Sequence, residues 1–167
     1  MKKLSAIFLL AVVCVTGCIK REKTTTDGGQ TSPTGPTTTA PVSFQRVTRG
    51  TRSAFAQQTT FVATSDRTFD DLLARTSPDE PIRTPNFTHE MAIGVFLGER
   101  LTGGFSFRVT NVTDSDGVLT IEATETIPNL RCAVTQSLTQ PFDIIAVPRK
   151  GNSVVLSLTR EIGPPCF

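Results

Sequence analysis

From Phe87 onward, apolar and polar residues alternate with a period of two in short runs separated by turn residues, the pattern of half-buried strands. In the first run Phe87, Met91, Ile93, Val95 and Leu97 share one face with His89, and Thr88, Glu90, Ala92, Gly94 and Phe96 share the other. Phe105, Phe107 and Val109 then alternate against Ser106, Arg108 and Thr110. After the turn Asp114-Ser115-Asp116-Gly117, Leu119, Ile121 and Ala123 occupy alternate positions. Cys132 to Ser137 is a further extended candidate, Phe142 to Val147 a strand, and Pro148 to Asn152 a turn before Val154, Leu156 and Leu158. Upstream, Ala54 to Thr64 is a first extended segment. One stretch has a different period. Thr68-Phe69-Asp70-Asp71 has the form of a capping box, and Phe69, Leu72 and Leu73 at i, i+3 and i+4 give a helix one narrow apolar face, with Pro78 ending it near Ser77. Six to seven strands and one short α-helix predict a mainly β (α+β) domain, an antiparallel, sandwich-like sheet arrangement.

The beginning of the chain follows other rules. Met1-Lys2-Lys3 precedes an apolar run from Leu4 to Val15, too short for the roughly 20 residues that span a bilayer. Residues 1–17 therefore read as a secretory signal peptide. The run ends in Val15-Thr16-Gly17-Cys18, which resembles the bacterial lipobox, with Cys18 as the lipidated residue. Acyl chains contribute about 0.8 kcal/mol per buried CH₂, so two or more form a stable anchor. Ile19 stands where an aspartate would signal inner-membrane retention, so the expected location is the cell envelope, on the outer membrane of a host with two. Residues 18–42 are the lipidated cysteine and a Thr/Pro/Gly-rich tether with too little apolar surface to fold, about 27 Å long as a flexible coil. Residues 43–167 form one globular domain.

Charge and cysteine usage narrow the function. Without Lys2 and Lys3, the 17 basic residues fall to the number of acidic ones, 15, so the mature chain is formally neutral. It lacks the basic stripe with interleaved aromatics that nucleic-acid binding needs. Of four cysteines, Cys14 leaves with the signal and Cys18 takes the lipid, which leaves Cys132 and Cys166 in an oxidising compartment. Their spacing is not that of a reactive CxxC pair, and a structural bridge between them would be worth about 4 kcal/mol through loop-closure entropy. His89 is the only histidine. Ser/His/Asp, Cys/His and HExxH sites are thus incomplete, no metal site is expected because zinc needs three or four N/S ligands, and no cofactor or small-molecule substrate is indicated. Asp114-Ser115-Asp116-Gly117 lacks the closing glutamate of a calcium loop and is better read as a hairpin turn.

The stretch Gly98 to Phe107 links two strands and spends consecutive glycines, Gly103 and Gly104, on the junction. Such a turn either serves the fold alone or presents a surface, since ligand contacts concentrate in loops on rigid scaffolds. Glu99 and Arg100 are likewise either solvated charges or recognition groups. Residues from Phe87 to about Leu158 resemble the C-terminal domain of the PrcB family, named after a lipoprotein subunit of a surface protease complex. The resemblance is carried by Phe87-Thr88-His89-Glu90-Met91-Ala92-Ile93-Gly94-Val95-Phe96-Leu97-Gly98, by Leu101-Thr102-Gly103-Gly104-Phe105, and by Leu138-Thr139-Gln140-Pro141-Phe142 with the apolar run to Pro148. Leu101 stands where proline is common and Phe105 where tyrosine is usual, which removes a phenol. The resemblance implies a non-enzymatic lipoprotein that binds or stabilises a secreted protease.

The leading expectation is a tethered, non-catalytic protein-interaction module. It would offer Glu99, Arg100, Leu101, Thr102, Gly103, Gly104 and Phe105, with Thr139, Gln140, Pro141 and Phe142 beside them, to another envelope protein such as a secreted protease. Two alternatives stand. The TGG-aromatic turn and the later Pro-aromatic pair are superficially similar to the loops of chagasin-type cysteine-protease inhibitors, and a purely structural envelope lipoprotein would need no partner.

Overall fold

The computed structural model describes residues 39–150 and 153–166, all within the unit Gly35–Phe167. The signal peptide, Cys18 and most of the tether lie outside the described residues. The elements in chain order are β1 (Thr39–Pro41), β2 (Gln45–Gly50), β3 (Arg52–Ser53), β4 (Thr59–Ala63), α1 (Asp66–Leu73), β5 (Thr76–Ser77), β6 (Glu90–Phe96), β7 (Ser106–Ser115), β8 (Val118–Ile127), β9 (Phe142–Pro148) and β10 (Ser153–Ile162).

Two four-stranded sheets, β1-β7-β8-β10 and β2-β9-β6-β4, face each other, and β3 and β5 make a small separate ribbon. Between the sheets lie Met91, Ile93, Val95, Leu97, Ile145 and Val147 from one side and Phe107, Val109, Val112, Leu119, Ile121 and Ala123 from the other. A second core fills the far side of the β9–β6 sheet, where Ala92, Phe96, Phe142, Ile144 and Ala146 meet Phe69 and Leu72 of the helix. The domain is thus a mainly β sandwich with a helix as a third layer. This explains why β6 and β9 are apolar at nearly every position: each is buried on both faces, one by a sheet and one by a helix.

Local departures from the sequence pattern have identifiable causes. The helix begins at Asp66, with Ser65 as the N-cap instead of Thr68. Ser65 Oγ accepts from the Thr68 amide at 3.3 Å and Thr68 Oγ1 accepts from the Ser65 amide at 3.2 Å, so Thr68 is the inner member of the box and Asp71 takes no part. The helix stops at Leu73, before Pro78 could stop it, because Thr76 and Ser77 are drawn into pairing with Ser53 and Arg52. Phe87 packs with the helix-side core, away from Met91, because residues 87–89 form a turn and strand alternation starts only at Glu90. Residues 132–137 are loop. A bulge between Val109 and Asn111 in β7 changes the parity and brings Val112 inside. Thr39–Pro41, which composition places in the tether, pairs with Thr113–Ser115, and Val42 packs on the core.

The chain order of the last strands has a geometric consequence. After β8 the chain crosses to the other sheet as β9 and then returns as β10. Two reversals restore the original direction, so β10 runs parallel to β8 while every other pairing in the two large sheets is antiparallel. Cys132 and Cys166 are bonded, with Cα atoms 5.0 Å apart, and tie the segment after β10 to the loop after β8.

The helix has only two turns and depends on its docking. Leu72 is fully enclosed there. Leu72→Ala is expected to cost about 3 kcal/mol, from lost apolar burial plus a residual cavity, measured by urea unfolding followed by far-UV circular dichroism.

Candidate functional site

One end of the sandwich is built from the β6–β7 connection, residues 97–105, and the β8–β9 connection, residues 128–141. The two are laced together. Arg100 and Thr139 exchange backbone hydrogen bonds of 2.8 and 2.9 Å, the Gly103 amide donates to the Thr135 carbonyl at 2.8 Å, and Thr139 Oγ1 donates to the Thr102 carbonyl at 3.0 Å. The Leu97 amide reaches the Pro141 carbonyl at 3.0 Å.

The two glycines serve this lacing in different ways. Gly103 is buried, and a side chain there would run into the Thr135 hydroxyl. Gly104 has φ +83°, and an added Cβ would come within 2.7 Å of Val134 and 3.1 Å of Pro128. The doubled glycine therefore lets one loop lie flat against the other, with Gly103 enclosed between them and Gly104 open to water on its outer side.

Arg100 also turns inward. Its Nε donates to Glu125 Oε1 at 2.5 Å, its Nη1 to the carbonyls of Leu97 and Glu99, and its guanidinium lies 5.8 Å from the centroid of the Phe105 ring. Glu125 continues the inward row of Leu119, Ile121 and Ala123 on β8. Its other oxygen accepts from Arg160 Nε of β10 at 2.9 Å. Burial pushes this carboxyl up, but hydrogen bonds and charge from Arg100 and Arg160 outweigh it and hold Glu125 below the usual carboxylate range. A second inward carboxylate, Asp143 on β9, accepts from Arg46 Nε and Nη2 at 3.0 Å each and from the Val109 amide at 2.8 Å across the core. It has no exposed surface, and burial raises it above the ordinary aspartate range despite the Arg46 and Val109 contacts. Parity was the available signal for both groups: Glu125 lies two residues beyond Ala123, and Asp143 two before Ile145.

The expected contact residues therefore divide. Glu99 and Gly104 are exposed, and Thr102, Phe105, Thr139 and Gln140 are half-buried. Leu101 is 81% exposed. Pro141 and Phe142 are buried, and the Phe142 ring stacks on Phe96 at 5.8 Å in the helix-side core, so Phe142 has no surface to offer a partner. Its neighbourhood contributes differently, through an open groove of about 350 Å³ whose walls include Arg49, Asp79, Glu80, Phe105 and Pro141. Leu138, which sequence reasoning left out of the site, is 52% exposed and directly precedes Thr139 of the Arg100–Thr139 bridge, as Leu101 directly follows Arg100. The two connections thus carry three exposed leucines, Leu101, Leu130 and Leu138, of which Leu101 and Leu138 flank the Arg100–Thr139 bridge. Among the described residues no cluster of three or more His, Cys, Asp or Glu side chains is placed to hold a metal ion.

Residues 91–148 match the family model described as PrcB C-terminal. The matched span runs from β6 to β9 and contains both connections of the tip; α1 and β10 lie outside it. No curated protein and no solved structure matches the chain.

The two inward carboxylates have opposite linkage to pH. Glu125, lowered in the fold, contributes stability that is complete above its unfolded value and is lost as the pH falls through its folded one. Asp143, raised in the fold, works the other way and adds relative stability as the pH falls through its folded value toward the unfolded one. Urea unfolding from about pH 3 to about pH 7 should show a shallower acid-side loss in Glu125→Gln and a steeper one in Asp143→Asn than in the wild type. Identical slopes in all three proteins would refute the assignment.

Proposed function

Residues 91–148 belong to the PrcB C-terminal family, and from that premise we propose that this chain is a non-catalytic accessory subunit of a protease complex. The family supports an association with such a complex, and the tip supplies a surface suited to it. The observation that carries the reading is the exposed pair Leu101 and Leu138 on two connections braced by backbone hydrogen bonds and by Arg100–Glu125. Apolar side chains held rigidly in water are costly to leave uncovered and lose little entropy when a partner covers them. A lipid on Cys18 would hold the domain at the cell envelope, on the outer membrane where there are two, with the Thr-rich tether setting its distance from the bilayer. The inhibitor alternative is weaker on this geometry, because its second presented loop would need Pro141 and Phe142, and both are buried.

The test uses the full chain in its native envelope, cross-linked, captured through a C-terminal tag and assayed for casein hydrolysis in the eluate. Leu101→Asp with Leu138→Asp should reduce the co-purified proteolytic activity by roughly tenfold or more, as for loss of a buried hot spot, with the urea midpoint unchanged. Equal activity with wild type and variant, or none with either, would end the proposal. Replacement at Gly104 is a poorer probe because it would unfasten the loops. The anchor has its own test: labelled palmitate should be incorporated into the wild type and not into Cys18→Ser, which should leave the membrane fraction.

A further inference from the structure

Sheet edges carry unpaired amides and carbonyls, and folded proteins ordinarily blunt them. Three of the four edges of the two large sheets are managed. β1 has three residues and ends in Pro41, and the stretch of β7 that it leaves unpaired is bulged between Val109 and Asn111, with the Val109 amide taken by Asp143. β2 is covered by the chain at 79–83, where the Asp79 amide donates to the Arg49 carbonyl at 3.0 Å and the Arg83 amide to the Val47 carbonyl at 2.9 Å. β4 has only five residues. β10 is different. It is ten residues long, pairs with β8 in unbroken register from Ser153 to Ile162, and contains no proline, lysine or bulge. Among the described residues no strand pairs with its other side.

We propose that the free edge of β10 pairs with β10 of a second copy of this chain, antiparallel about a two-fold axis, to join two sandwiches through one continuous eight-stranded sheet. This does not rest on the protease-complex reading.

The choice of occupant follows from the side chains. Val154, Leu156 and Leu158 pack against the margin of the inter-sheet core but remain half-exposed, so an incoming strand that completes their burial must bring apolar residues at alternate positions. β10 itself is such a strand. With Ser157 on the axis, Leu156 faces Leu158, Val155 faces Thr159, Val154 faces Arg160 and Ser153 faces Glu161, and no like charges are opposed. The Thr-rich tether has no comparable row of large apolar residues to offer. One added strand pair buries less than the roughly 1,200 Å² of a standard stable interface, so the dimer should be concentration-dependent.

The experiment uses the full chain in the envelope. Ser157 is exposed, and directly opposed Cβ atoms in such a pair lie about 4.5–5.5 Å apart, so Ser157→Cys should give a dimer on a non-reducing gel after mild oxidation. Peptide mapping would confirm that Cys132–Cys166 stays intact. Adding Val155→Lys and Thr159→Lys opposes like charges on the exposed face and should reduce that dimer at least tenfold with no change in the urea midpoint. Sedimentation of the purified wild type should show a monomer–dimer equilibrium that the lysine variant lacks. A wild type that stays monomeric across the concentration series, or a cross-link indifferent to the lysines, overturns the proposal.

Discussion

The structure depends on one constraint, that β6 and β9 are buried on both faces at once. Val95 and Ile145 face the opposite sheet, while Phe96 and Ile144 face the helix side. A strand in this position cannot tolerate an unpaired polar group, and the one acidic residue of β9, Asp143, is matched by Arg46 and by a backbone amide. The other layers are consequences. Sheet β1-β7-β8-β10 exists to cover one side, and a two-turn helix too short to persist alone is held in place by covering the other.

The inward carboxylates mark where the apolar core gives way to organised polar structure. Asp143 accepts from the Val109 amide beside the β7 bulge and so links the two sheets at the point where the regular ladder is interrupted. Glu125 does the same work at the end of the sandwich, joining the β6–β7 connection through Arg100 to β10 through Arg160. A residue from inside the family-matched span and one from outside it therefore share a single buried anion. The candidate contact surface and the last strand are mechanically connected through it, and the disulfide fastens the chain just beyond.

That arrangement changes the meaning of the glycine turn. Its residues stand out because of what they lie against: Gly103 against Thr135, and Gly104 against Val134 and Pro128. The exposed apolar surface of the two connections is carried instead by Leu101, Leu130 and Leu138, on loops that the hydrogen bonds between them hold in place. Rigidity and exposure together are what a recognition tip requires.

Local chemistry was enough to reveal the strand cores, the β-rich class, the helix face and the Cys132–Cys166 pairing, because period-two alternation and turn residues act over a few positions and only two cysteines lie beyond residue 18. It could not reveal β2, whose residues Gln45–Gly50 are mostly polar and charged and become a strand only because β9 offers a ladder and Thr48 finds the Glu80 carbonyl. Nor could it separate Phe142 from Leu138: they lie four residues apart, yet Phe142 opens β9 and faces the helix-side core while Leu138, in the connection before it, faces water. The inward direction of Arg100 and the parallel course of β10 are likewise long-range outcomes. Each depends on which groups, distant in sequence, the packed layers bring within hydrogen-bonding reach, and that is settled by closure of the sandwich.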